Sequence, residues 1–403
     1  MTPRPVWMTN LRDVIPGIVF KGTTDYQLPR RYGNGCLRKP NYPIPNDRFV
    51  LSYLKRMGMG KLGLEAQILE ETEMFVKHLE EEGVVDPSTT LAKFTSNIIM
   101  RMMFGQRWQY GDSLAANKIF ADAIHSLHTE SALLMLGDLV PLFRYLPNVA
   151  RAKKEVNEAL GYLRNFFRQT IEKHIAERDL VENDDFVNAY LQSHEKMDEE
   201  GMSNLVDLCQ DVFLAATDTT STTLNFVIIH MLNNPLWQEE LLHEITTAFR
   251  GGVPSMEDLE KLPKLEATIQ ETLRLNPLGP LIPRATVHAT KVRDYVVPAN
   301  CQVWVNVYHI NYDPVVFPDP MSFCPQRWLR PDGTFRRKYS EPNILLINNL
   351  PYQVTLYLLF LLLGLVEECV WASPWQGKRF HAFGQEFQHI LTSGWSLCWY
   401  FRL

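Results

Sequence analysis

The 403-residue chain is 46% hydrophobic and 21% charged, an ordinary globular composition with room for one large or two medium domains and a substantial core. A formal net charge of −6 and a pI near 6.0 provide no overall basic field, so no nucleic-acid partner is expected. The six cysteines, Cys36, Cys209, Cys301, Cys324, Cys369 and Cys398, are scattered without a CxxC pair, which leaves no legible zinc site or disulfide framework and points to free thiols in a reduced compartment.

Residues 1–48 read as irregular. Pro3, Pro5, Pro16 and Gly17 break Met1–Asp25, which therefore offers neither a signal core nor a spanning helix, and Pro29, Pro40, Pro43 and Pro45 continue the interruption. From Gly63 to Gly83 a helical period takes over, with Leu64, Ile68, Leu69, Phe75, Val76 and Leu79 on one side. Asp86–Thr90 supplies capping residues for a second helix ending near Phe104 and Gly105. Lys118–Leu136 and Glu155–Ile175 have the pattern of two more amphipathic helices. The acidic run through Asp184, Asp185, Asp198, Glu199 and Glu200 reads as a solvated face and linker.

The next stretch, Asp207–Met231, has apolar ends, Val212–Ala216 and Leu224–Ile229, and contains no Gly or Pro, so a single long interior helix is expected. Its middle, Thr217–Thr223, instead carries seven polar side chains. Each buried hydroxyl or carboxylate costs roughly 1–3 kcal/mol or more unless it is partnered. Either these groups bond back to their own helix and bend it, or they form a polar notch that meets a ligand. Beyond it, Pro235–Phe249 is amphipathic and stops at Gly251-Gly252. Glu257–Leu262 makes a short helix, and Pro263 opens another that closes before Pro277. From Val287 the period shortens towards two, in ATKVRDYVVP and CQVWVNVYHI, and two or three short strands are expected. The class is mainly α with a small β sheet, α+β.

Glu271 and Arg274 lie three apart on one helix face, which alone marks only a common ion pair. Their surroundings carry more. AATDTT (Ala215–Thr220), LPKLEATIQETLRLNP (Leu262–Pro277) and FCPQRWLRPDGTF (Phe323–Phe335) follow one another in the order and spacing of the cytochrome P-450 family, the haem-thiolate monooxygenases. GMGK (Gly58–Lys61) and DDFVNAYL (Asp184–Leu191) resemble the microsomal, drug- and steroid-metabolising branch. The resemblance implies a P-450 core over 49–338, flanked by a disrupted segment over 1–48 and an aberrant apolar tail over 339–403. It implies haem b as cofactor, insertion of one oxygen atom into a small lipophilic substrate, an NADPH-dependent reductase as partner, and the endoplasmic reticulum membrane as location. By the same resemblance Asp218 and Thr219 are the acid–alcohol pair beside the iron, Ala215 and Ala216 the small residues against the porphyrin, Arg284 a propionate partner, and Glu271, Arg274 and Arg327 a buried triad.

Three departures from that pattern all touch the cofactor. The family's N-terminal anchor is not found, and Gly17–Phe49 lacks the usual Trp and Arg in register, with Arg30, Arg31 and Arg48 nearby. The FxxGxRxCxG loop that supplies the axial thiolate is missing, and no cysteine sits in that setting, so the iron ligand is unassigned. Gly377–Phe387 echoes the loop with His381 in the place of cysteine. Between them, residues 339–376 read as an unspliced or misassembled stretch, and Pro342–Val366 is uncharged and apolar enough to attach to a membrane. Impaired haem binding is therefore expected, and two other readings stand beside the enzyme: an inactive helical scaffold, and a C-terminally membrane-anchored binding protein.

Overall fold

The computed structural model describes residues 49–50, 52–53, 62–82, 86–110, 141–177, 185–194, 197–249 and 261–336, apart from 287, 293 and 300. The expected irregular segment over 1–48, the helix over 118–136, the break at Gly251-Gly252, residues 257–260 of the short helix over 257–262, and the whole tail over 339–403 with His381 lie outside them.

Helix α1, Leu62–Glu82, buries Ile68 and Phe75 and is followed by α2, Pro87–Phe104. The ends of α2 are written in its sequence. The Asp86 carboxylate accepts from Ser88 N at 3.0 Å, Pro87 takes the first helical position, and Gly105 closes the helix at φ 65 with its N–H on Arg101 O. A 3-10 turn, Pro141–Tyr145, leads into α3, Pro147–Glu177. This helix starts eight residues before the expected Glu155, because its first turns bury only Val149 and Ala152 between charged positions and so show little apolar period.

In the acidic run Asp198, Glu199 and Glu200 are exposed as its charge implies, but Asp185 is not. Asp185 is 3% exposed: it caps α4, Phe186–Ser193, by accepting from Asn188 N at 2.9 Å, and it faces His174 Nε2 of α3 at 3.2 Å. Asp198 caps the next helix through Gly201 N, while Glu199 and Glu200 stay exposed in its positive first turn.

That next helix, α5, runs Glu199–Asn233, 35 residues and about 52 Å at 1.5 Å per residue. It is long and apolar enough to cross a membrane by composition, but it is packed against α2, α3 and α7 as the central rod of the described residues. Two apolar cores meet along it. Leu205, Val206, Cys209 and Phe213 join Phe104, Phe167, Phe186 and Tyr190 in one; Leu224, Val227 and Met231 join Phe75, Phe94 and Ile98 in the other. The second core also takes Trp237, Leu241 and Ile245 of α6, Pro235–Phe249, and Leu265 and Ile269 of α7, Pro263–Leu275.

The β structure is two antiparallel pairs. Strand β1, Leu281–Ala285, pairs with β4, Gln302–Asn306, with Arg284 opposite Val303; β2, Thr290–Val292, pairs with β3, Tyr295–Val297. Two sequence expectations need correction here. β1 lies ahead of Val287, masked by Pro283 within it. Residues VYHI, expected as strand, form the short helix α8, Val307–Asn311, because the Asn306 side chain accepts from His309 N at 2.8 Å and starts a helical turn that β-branched residues alone would not favour.

Candidate functional site

The polar middle of α5 divides into two faces. Thr217, Thr220, Ser221 and Thr223 are buried with Phe213 and Leu224 against the neighbouring helices. On the opposite side, at the i, i+3, i+4, i+7 spacing of a single helix face, Ala215 is exposed and Asp218, Thr219 and Thr222 are half-buried, with Val212 and Ala216 partly covered beside them. This open face is lined by small and polar side chains in the middle of the longest helix.

Three of the hydroxyls behave as the plainer sequence reading requires. Thr219 Oγ1 donates to Ala215 O at 2.7 Å, Thr223 Oγ1 to Thr219 O at 2.8 Å and Ser221 Oγ to Asp218 O at 3.2 Å. Thr95 Oγ1 of α2 reaches Thr217 O at 3.3 Å, and the buried Thr217 hydroxyl finds no hydrogen-bond partner among the described residues. Self-satisfaction and an open polar face thus coexist: the Thr219 proton is spent on its own helix, while its oxygen lone pairs remain on the open side.

The second constellation is the carboxylate of Glu271, which is fully buried. Its Oε1 accepts from Arg274 Nη2 at 2.8 Å, Arg327 Nε at 3.0 Å and Cys324 N at 3.0 Å. Its Oε2 accepts from Arg274 Nε at 2.8 Å and Trp328 Nε1 at 2.8 Å. Burial alone would push the Glu271 carboxyl upward, but the Arg274 guanidinium, with the Cys324 N–H and the Trp328 indole, outweighs burial and holds it below the usual glutamate range. The guanidinium groups also donate to the chain from the end of α8 onward: Arg274 to Asn311 O, Pro320 O and Ser322 O, and Arg327 to Pro318 O and Asp319 O. One buried anion therefore ties α7 to the loop 311–328.

A third contact links the two sites. His230, near the C-terminus of α5, sets Nε2 2.7 Å from Asn276 Oδ1 at the end of α7 and stacks its ring on Phe323 with centroids 4.4 Å apart. Burial holds the imidazole below its ordinary pKa, and because the Asn276 Oδ1 can only accept, Nε2 is the donor of this bond.

The residues expected at a site are thus placed in two groups. Glu271, Arg274 and Arg327 are in direct contact; Ala215, Ala216, Asp218 and Thr219 share the partly open side of α5. Arg284 is placed by its backbone in β1. Sequence reasoning missed Trp328 and the Cys324 N–H as ligands of Glu271. The signal available for Trp328 was an indole one residue after a motif arginine, which by itself reads as core.

A haem-thiolate site needs a flat approach to the porphyrin and a cysteine thiolate on the iron. The open side of α5 presents exposed Ala215 beside half-buried Ala216, Asp218 and Thr219, and of the described cysteines Cys209 is held as a thiol. Cys209 is fully buried, and burial, reinforced by Asp185, pushes its thiol far above the ordinary range. Cys324 donates its backbone N–H to Glu271 Oε1 and its thiol to Gln326 Oε1 at 3.5 Å, and Cys301 leads into β4 with its N–H on Thr286 Oγ1. No group of three or more His, Cys, Asp or Glu that could hold a metal ion occurs among the described residues.

Comparison with known proteins adds sequence-wide evidence. The family profile of cytochrome P450 matches residues 47–341. Over 309 residues the chain is 32% identical to cytochrome P450 2U1 of Rattus norvegicus, covering 72% of this chain and 56% of the relative. It is 30% identical to cytochrome P450 2C44 of Mus musculus and to cytochrome P450 2B4 of Oryctolagus cuniculus, in each case over 72% of this chain and 60% of the relative. The matched region thus spans less than two thirds of the length of these relatives.

Proposed function

This chain belongs to the cytochrome P450 family, and from that premise we propose that its described core is the scaffold of a haem-dependent monooxygenase acting on a small lipophilic substrate, in a chain whose own haem binding is impaired. The observation that carries the first half is the side of α5 on which exposed Ala215 and half-buried Ala216, Asp218 and Thr219 lie together, midway along a helix joined through His230 and Asn276 to the helix of Glu271. On this reading Ala215 and Ala216 admit the porphyrin, Asp218 and Thr219 form the acid–alcohol pair, Arg284 meets a propionate, and Glu271, Arg274 and Arg327 lock the core behind them. Haem supplies oxygen activation in this family when a thiolate ligates its iron.

The chemistry of the donor set carries the second half. The Cys209 thiol is protonated in the core, and the residues that echo the ligand loop place His381, an imidazole without a thiolate's electron donation, where cysteine belongs. The same observation favours a non-catalytic helical scaffold as the second reading. An NADPH-dependent reductase partner and an endoplasmic reticulum location accompany the first by family. The test is haem content and the carbon-monoxide difference spectrum of the purified, reduced chain. Substoichiometric haem without a thiolate-type band is expected, and one haem per chain with that band overturns the impairment.

A further inference from the structure

Helix α7 begins without a cap of its own. Leu262 occupies the N-cap position and makes no side-chain hydrogen bond, and Pro263 has no N–H to give. The first free donors of the turn, Lys264 N and Leu265 N, are taken by Glu244 of α6: Lys264 N lies 2.9 Å from Oε1 and 3.1 Å from Oε2, and Leu265 N 3.1 Å from Oε2. Two more side chains on the same face of α6 reach α7. Glu240 holds Lys264 Nζ at 2.7 Å, and Trp237 donates Nε1–H to Thr268 Oγ1 at 2.9 Å with the Lys264 ammonium 5.8 Å from its ring centroid. Trp237, Glu240 and Glu244 follow one another at helical spacing and fasten the first two turns of the helix that carries Glu271 and Arg274.

We propose that Glu244 is a proton-responsive cap, lent by α6 to α7, that sets how firmly the first turn of α7 is docked. A carboxylate in this place serves two opposed demands. Ionised, it meets two orphan N–H groups and the positive end of the helix; being half-buried beside Leu241, Ile245, Leu262 and Leu265, it is also poorly solvated. Burial is the larger influence and raises its pKa from 4.5 to about 6, against the opposing pull of the Lys264 and Leu265 N–H groups and the Lys264 ammonium. That ammonium is the charge facing Glu244 from α7 and is shared with Glu240. The other titratable groups nearby in the chain are Lys261 and Glu266 around the start of α7, and Glu239 and His243 on α6.

The sign follows from the raised value. The docked turn binds a proton more tightly than the opened turn, so the contribution of Glu244 is fully present below pH 4.5 and is lost as the pH rises through about 6. Near neutrality the cap is an anion held against its solvation, and the first turn of α7 opens more readily than its contacts alone would allow. This proposal does not depend on haem.

Hydrogen exchange read by mass spectrometry on the full chain tests it, with rates corrected for intrinsic pH dependence. Protection over residues 262–270 should fall about ten- to thirty-fold between pH ~4.5 and ~7, while α2 keeps constant protection. Glu244→Gln should abolish the fall. A wild-type profile as flat over 262–270 as over α2, or an unchanged fall in Glu244→Gln, overturns the proposal. If Glu244→Gln does not fold, the comparison of the two wild-type segments decides alone.

Discussion

At the scale of single residues, the Glu271 carboxylate concentrates more of the structure than any other side chain described. Five donors converge on it, and its partners Arg274 and Arg327 are themselves nearly inaccessible. Removing the anion while leaving two buried cations is expected to cost about 3–5 kcal/mol, so Glu271→Ala should unfold or aggregate the chain. A melting temperature equal to wild type would show the cluster to be dispensable. Trp328→Phe keeps the packing and removes one charge-assisted hydrogen bond, an expected loss of about 1.5–3 kcal/mol in chemical denaturation. Because the Glu271 pKa is depressed on folding, its contribution is present above the ordinary glutamate range and is lost as the pH falls through the lower folded value. Stability should therefore decline on acidification, and the decline should be smaller in Trp328→Phe. Three members of this cluster were legible as motif residues. Trp328 and the Cys324 N–H were not, because a donor 57 or 53 positions away in sequence becomes a neighbour only through the fold.

At the scale of elements, helices were legible where period and caps agree. The start of α2 falls within the expected capping stretch Asp86–Thr90 and its end at Phe104 beside Gly105, and Pro235 and Pro263 open α6 and α7 where they stand. Ends fixed by tertiary partners were not. The cap of α7 comes from Glu244, 20 residues earlier; that of α8 is local, but Asn306 is also the last residue of β4 and was hidden in its alternating run. Helix α3 holds the clearest surplus of backbone freedom: Gly161 is exposed in its interior, and a Cβ there meets nothing within 4 Å. Gly161→Ala is expected to stabilise by about 0.5–1 kcal/mol, since alanine removes unfolded-state entropy and adds no clash. A lower denaturation midpoint for this variant would mean that the glycine serves a contact beyond the helix.

At the scale of the whole molecule, the α+β class could be read from the order of periods, because helical and strand patterns are local. The division of the apolar residues into two cores could not, since both cores are completed by side chains from helices far apart in sequence. What joins them is α5, with Val206 fully buried in one core and Val227 fully buried in the other, about 31 Å apart along the helix axis. A rod shared in this way should make the two cores melt together, because unwinding either half of α5 strips apolar contacts from the junction at Phe213 and Leu224. Val206→Ala and Val227→Ala should each cost about 1–3 kcal/mol. At that separation the double variant should lose the sum to within about 0.5 kcal/mol, in one transition with the slope of the wild type. Urea unfolding followed by far-ultraviolet circular dichroism and by tryptophan fluorescence checks this. Two transitions, or a variant that shifts only one of them, would separate the cores into independent units and leave α5 as a tether between them.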